Sequence, residues 1–139
     1  MYTACQRTAI VARVARLLIV DDDADLRLLV RTLLERAQHK VDEASDPKEA
    51  VDKLAMRDYD AILMDIEMPR MSGLEFIRLL KDNPRFLHYQ DTPIIVVSGN
   101  TDPGIMAESF EAGAVYHLQK PFTPAELMDT VRVVLHARG

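Results

Sequence analysis

Five polar residues in this sequence each stand against a short apolar run. Asp21 and Asp22 follow Leu17-Leu-Ile-Val20, Asp65 follows Ala61-Ile-Leu-Met64, and Ser98 follows Ile94-Ile-Val-Val97. Lys120 precedes Pro121-Phe122. If the runs are parallel strands of one sheet, these side chains emerge together at its carboxyl edge. Three carboxylates, a hydroxyl and an ammonium would then share one crevice, a set that suits a divalent cation and a phosphoryl group.

The charges need company. Two unit charges ~4 Å apart repel by roughly 4 kcal/mol at an effective dielectric of ~20. Three carboxylates in one crevice therefore need a cation among them, or some must stay protonated. Hard oxygen ligands with room for water favour Mg²⁺, with Mn²⁺ the other candidate, over zinc. Asp65 could act as a nucleophile toward phosphorus. Lys120 offers a point charge to a phosphoryl oxygen, and Ser98 offers a hydroxyl donor. Gly99 beside it lets a ligand approach the backbone, and the Lys120–Pro121 bond is a candidate for the cis form. The plainer readings are a solvated lysine, an ordinary Ser98-Gly99-Asn100 turn, and acids that cap a helix; for Asp23 and Asp25 capping is the better reading.

The elements that must position these groups alternate between apolar runs and helical patterns, as in a βαβ fold. Strands are expected at Arg16–Val20, Lys40–Ala44, Ala61–Met64, Ile94–Val97 and Val115–Gln119. The first helix should bury Leu26, Leu29, Val30, Leu33, Leu34 and Ala37. The second, opened by Asp46-Pro47-Lys48-Glu49, should bury Ala50, Val51, Leu54 and Ala55. Ser72 is the expected cap of a third helix with Leu74, Ile77 and Leu80 (or Phe76) inward. The long connection 83–92 carries Phe86, Leu87 and Tyr89, so part of it should pack or extend the helix. Asp102-Pro103 opens a fourth helix that Gly113 ends. Thr123-Pro124-Ala125-Glu126 starts the last, which buries Leu127, Val131, Val134 and Leu135. In such sheets ligands bind at the carboxyl ends of the strands, where strand order reverses.

A length of 139 residues suits one core. The net charge of −5 argues against bulk nucleic-acid or anionic-membrane binding. The single cysteine, Cys5, excludes an intramolecular disulfide and fits a reducing cytoplasm. No apolar stretch approaches the ~20 residues that span a bilayer. Residues 1–15 read as an extension: a short tail, with a basic transit segment as the alternative. Residues 16–139 read as the domain, with no output domain after it.

The ordered set Leu17-Leu-Ile-Val-Asp-Asp-Asp23, Leu63-Met-Asp-Ile-Glu-Met-Pro-Arg-Met-Ser-Gly73, Ile94-Ile-Val-Val-Ser-Gly99, Ala112-Gly-Ala114 and Lys120-Pro-Phe122 resembles the receiver domain of bacterial two-component response regulators. The resemblance implies a five-stranded parallel sheet of order 2-1-3-4-5 with helices on both faces, the flavodoxin-like α/β class. It implies that Asp65 is the phosphoacceptor, served by a sensor histidine kinase or a phosphotransfer protein. Asp21, Asp22, Asp65 and the backbone carbonyl of Glu67 would hold Mg²⁺, while Ser98 and Lys120 would meet the phosphoryl group. A target would read the signal at the last two helices and fifth strand. Such a domain is a regulatory phosphoacceptor in the cytoplasm that contacts neither nucleic acid nor membrane. His117 stands where the family usually has Tyr or Phe; it is either the aromatic member of the switch with Ser98 or a strand histidine facing solvent. Gly99 replaces the usual Ala. A Mg²⁺-dependent phosphatase with an aspartate nucleophile and a docking module that works unphosphorylated are the competing classes.

Overall fold

In the computed structural model, residues 14–68 and 71–138 are described. Residues 1–13, where most of the expected extension falls, Pro69 and Arg70 of the Asp65 motif, and Gly139 lie outside them. Strands β1 (Arg16–Val20), β2 (Lys40–Ala44), β3 (Ala61–Met64), β4 (Ile94–Ser98) and β5 (Tyr116–Gln119) form one sheet of order β2-β1-β3-β4-β5. Every pairing is parallel. Helices α1 (Ala24–Arg36), α2 (Pro47–Met56), α3 (Gly73–Asp82), α4 (Pro103–Ala112) and α5 (Pro124–Arg138) connect and follow the strands.

The apolar runs are continuous because both faces of the sheet are covered. Leu18, Val20, Ile62, Met64, Ile94 and Val96 point into one cluster with Ala50, Leu54, Phe76, Ile77 and Leu80 of α2 and α3. Leu17, Ile19, Ala61, Leu63, Ile95 and Val97 point the other way, against Val30 and Leu34 of α1 and Leu127, Val131, Val134 and Leu135 of α5. The alternation follows from the two-residue period of a strand. Packing is in place from Ala15, which is buried and donates its N–H to His39 Nδ1 at 3.1 Å.

The expected helix starts form as their chemistry requires. Asp46, Ser72 and Asp102 each accept backbone N–H groups at the first turns of α2, α3 and α4. Thr123 and Glu126 make the reciprocal capping box of α5 at 2.9 and 3.1 Å. Gly113 closes α4 with φ 128°, a conformation L side chains avoid.

Some expectations shift. Leu29 is 48 % exposed, because it lies one residue off the stripe Leu26, Val30, Leu33, Leu34 that meets the sheet and α5. Ala55 is exposed, and Ala37 caps α1 rather than extending its buried face. Val115 precedes β5, and β4 runs one residue further, to Ser98. The connection after α3 becomes a 3₁₀ helix, Pro84–Tyr89, capped by the Asn83 side chain. Phe86 and Tyr89 are buried while Leu87 is exposed. The Tyr89 hydroxyl lies 2.7 and 2.6 Å from the carbonyls of Leu54 and Arg57, which share its one proton, and burial pushes its pKa up to about 12.

Candidate functional site

Asp21, Asp65 and Lys120 each sit one residue past the end of a strand, Asp22 sits two past, and Ser98 ends β4. The sheet ladder fixes that step. Asp21 N–H donates to Ala44 O at 3.1 Å, Asp65 N–H to Val20 O at 3.0 Å, and Lys120 N–H to Ser98 O at 2.9 Å. Arg27 of α1 donates to Asp21 O at 2.6 Å from the other side. The backbones that carry the acids and the lysine are therefore held by hydrogen bonds that do not involve the reactive groups.

The carboxylates of Asp21, Asp22 and Asp65 each place an oxygen within 4.8 Å of the others. Asp21 and Asp65 are buried and Asp22 is exposed, so the cluster opens to solvent on one side. Lys120 Nζ bridges the two buried acids, at 3.0 Å from Asp21 Oδ2 and 3.3 Å from Asp65 Oδ2. The remaining oxygens accept local amides: Asp21 Oδ1 from Asp23 N–H and Asp65 Oδ1 from Glu67 N–H, both at 2.9 Å. The Lys120–Pro121 bond is cis.

The electrostatics are unbalanced. Three carboxylates face one ammonium. Burial raises the Asp21 carboxyl above its ordinary range, and the Asp23 amide and Lys120 reverse this only in part. Burial pulls Lys120 down, yet its bond to Asp21 and the charges of Asp65 and Asp21 leave it raised. The same pair thus dominates at the lysine and loses to desolvation at Asp21, which has only 2 % of its side chain exposed against 25 % for Lys120. An acidic cluster of hard oxygens, under-compensated and open on one side, fits a divalent cation that keeps water or a phosphate in its shell.

Ser98 is fully buried. Its Oγ accepts Asn100 N–H at 3.1 Å and donates to Glu67 Oε1 at 3.4 Å. The resemblance implies a backbone ligand at Glu67 and, with Asn100, a position that tunes phosphoryl lifetime; the side-chain contact with Ser98 joins residues 31 apart and has no local signal. Gly73 closes the Asp65 motif in the sequence, but its packing role there does not show in the spacing. Its N–H donates to Ile66 O at 2.9 Å, and a Cβ there would lie 2.5 Å from Ile66 Cα and 2.6 Å from Asp65 O. It lets α3 start directly against the backbone that carries Asp65.

His117 pairs in register with Val96, so it shares the sheet face of Val96 rather than that of Leu118. Both ring nitrogens are covered and have no hydrogen-bond partner among the described residues. Burial lowers its pKa from 6.5, and burial does the same for His39. Between those lowered values and 6.5 the unfolded chain binds more protons, so stability falls as pH drops through that window. The melting temperature is expected to fall from about pH 7.5 to about 5.5, and His117→Phe to flatten part of that slope in a thermal titration.

The response regulator receiver domain family matches residues 17–132. The transcriptional regulatory protein ResD of Bacillus subtilis is 35% identical over 120 residues, covering 86% of this chain and 48% of ResD. The sensory/regulatory protein RpfC of Xanthomonas campestris is likewise 35% identical over 120 residues, 86% of this chain and 16% of RpfC. The chain thus spans about half the length of one curated relative and far less of the other. The chemotaxis response regulator CheY4 of Vibrio cholerae superposes with a TM-score of 0.81 at 34% identity, covering 88% of this chain and 99% of that one. Among the described residues no helix is long and apolar enough to cross a membrane.

Proposed function

We propose that this chain, which belongs to the response regulator receiver domain family, is a phosphorylation switch whose phosphoacceptor is Asp65. The observation that carries the reading is Lys120 bridging Asp21 and Asp65 at 3.0 and 3.3 Å inside a three-carboxylate cluster. A carboxylate oxygen of Asp65 forms a bond to phosphorus as the bond from phosphorus to an imidazole nitrogen breaks, and the imidazole leaves on the donor protein. The donor is a phosphohistidine on a sensor histidine kinase or phosphotransfer protein. Phosphoryl transfer of this kind depends on positioning and charge neutralisation. Lys120 supplies a fixed positive charge beside the incoming group, and Ser98 supplies a hydroxyl donor one strand away. Asp21, Asp22, Asp65 and the Glu67 carbonyl would hold Mg²⁺, which when bound neutralises charge on the phosphoryl oxygens.

The modified carboxylate carries about −1.5 to −2 charge in place of −1. That change draws Ser98 toward the new oxygens and biases the neighbouring surface, with His117 as the aromatic member of the switch. Its ring nitrogens lack a hydrogen-bond partner among the described residues, which supports that role, since the ring can move without breaking one. The output face is α4, β5 and α5, where Phe110, Val115, Tyr116 and Val133 are all more than 40 % exposed. A protein target docks there. The domain acts in the cytoplasm, where it meets that phosphohistidine donor.

The test is intact-protein mass after incubation with a small phosphodonor, with and without Mg²⁺. One phosphoryl adduct that needs Mg²⁺ and is absent from Asp65→Asn is the expected outcome. An adduct that survives Asp65→Asn would move the phosphoacceptor elsewhere. Turnover of a generic phosphate ester would favour a phosphatase instead.

A further inference from the structure

We propose that the Glu67 side chain is a positioning residue that holds the Ser98 hydroxyl in the unphosphorylated state and competes with the phosphoryl group for it. The inference rests on the reading of Asp65 as phosphoacceptor. Glu67 is tied to the site at both ends. Its N–H donates to Asp65 Oδ1 at 2.9 Å, and its Oε1 accepts from Ser98 Oγ at 3.4 Å. Ser98 is fully buried, so water does not offer its hydroxyl an alternative acceptor. The Oγ also accepts from Asn100 N–H, which leaves the single O–H as the only group it can donate.

A hydroxyl with one proton cannot serve two anionic acceptors at once. A phosphoryl oxygen on Asp65 and the Glu67 carboxylate therefore exclude each other as partners of Ser98. The bond to Glu67 is long, and Glu67 is itself exposed, so it yields to a closer acceptor at modest cost. A carboxylate at this position thus sets a threshold: the modified state must take over the hydroxyl before the Ser98 loop can turn. Charge repulsion between Glu67 and the phosphoryl group also acts, but it acts whether or not Ser98 has a hydroxyl. That difference separates the two effects.

The experiment is a double-mutant cycle in the full chain. Beryllium trifluoride, a phosphoryl mimic, is titrated in Mg²⁺ against wild type, Glu67→Ala, Ser98→Ala and the double variant, with Asp65→Asn as control. The expected result is that Glu67→Ala tightens binding about fivefold more when Ser98 is present than in the Ser98→Ala background. Glu67→Gln, which keeps an acceptor oxygen without the charge, is expected to retain most of that coupling. In the Mg²⁺-free protein, Glu67→Ala is expected to shift the Asn100 amide resonance, because that N–H donates to the freed hydroxyl. Equal gains in both Ser98 backgrounds would overturn the proposal and leave charge alone as the role of Glu67. An unmoved Asn100 amide would overturn it as well. Wild-type binding that Asp65→Asn does not abolish would overturn the phosphoacceptor reading and the proposal together.

Discussion

Gly73→Ala is expected to destabilise the protein by about 3 kcal/mol, a loss of roughly 10 °C in melting temperature, and to remove most of the Mg²⁺-dependent phosphoryl adduct. The added Cβ would meet Ile66 Cα at 2.5 Å and Asp65 O at 2.6 Å. Both are backbone atoms, so no rotamer change relieves the overlap. Either α3 lifts from the sheet edge, exposing Phe76 and Ile77, or the Asp65–Ile66 backbone moves. The second route shifts the Asp65 carboxylate and the Glu67 amide that donates to it. Stability and adduct formation should therefore fall together, at a position with no polar side chain. Gly99→Ala is the matched control. The nearest atom to its Cβ would be Lys120 Cβ at 4.0 Å, an ordinary contact, and the change should stay within about 0.5 kcal/mol. Urea unfolding of both variants, read beside intact mass, checks the pair. A Gly73→Ala protein of wild-type stability would mean that α3 has slack at its first turn.

That contrast marks where the sequence is readable. The strands carrying the site are legible because each is a continuous apolar run with a polar residue at its end, and burial on both faces demands that pattern. Residues 61–64 are buried without exception. The caps Asp46, Ser72, Asp102 and Thr123 are legible because they satisfy amides within the next turn. Contacts between elements are another matter. Gly73 looks like any helix-start glycine until the Asp65 backbone is placed against it. Glu67 and Ser98 meet only through the pairing of β3 with β4. His117 could face either way from alternation alone, and the register with Val96 decides it. Leu29 and Ala55 fit a helical stripe in the sequence, yet each helix buries a narrower face than its apolar residues offer. The burial of Tyr89 depends on carbonyls at the end of α2 that nothing near Tyr89 announces.

Lys120→Met is expected to destabilise the Mg²⁺-free protein by about 2 kcal/mol at neutral pH, and Mg²⁺ to recover most of that loss. Removing one partner of a buried ion pair costs about 3–5 kcal/mol. The lower figure allows for solvent screening at Lys120, whose side chain is 25% exposed. Without the ammonium, Asp21 and Asp65 face each other with 2% and 9% of their side chains exposed. A divalent cation replaces the missing charge, so the Mg²⁺ increment should exceed the wild-type one, which is ~2.7 kcal/mol at 100 times Kd. Asp21→Asn should move the other way. Burial is the largest influence on Asp21 and holds its carboxyl above the ordinary 3.8. A neutral amide avoids that desolvation and the repulsion from Asp65, for a gain of about 1 kcal/mol without Mg²⁺. The same change removes a ligand, so its response to Mg²⁺ should shrink. The sign with pH follows. A carboxyl raised in the folded state binds protons more tightly there than in the unfolded chain, so its destabilising effect is present above the raised pKa and fades as pH falls through it. Losing Lys120 raises Asp21 further, and the Lys120→Met deficit should therefore narrow on acidification. Urea unfolding of both variants with and without Mg²⁺, at neutral and lowered pH, checks this. A deficit that neither Mg²⁺ nor acid reduces would mean that Lys120 stabilises through its packed methylenes, and the acids would not be strained by their own charge.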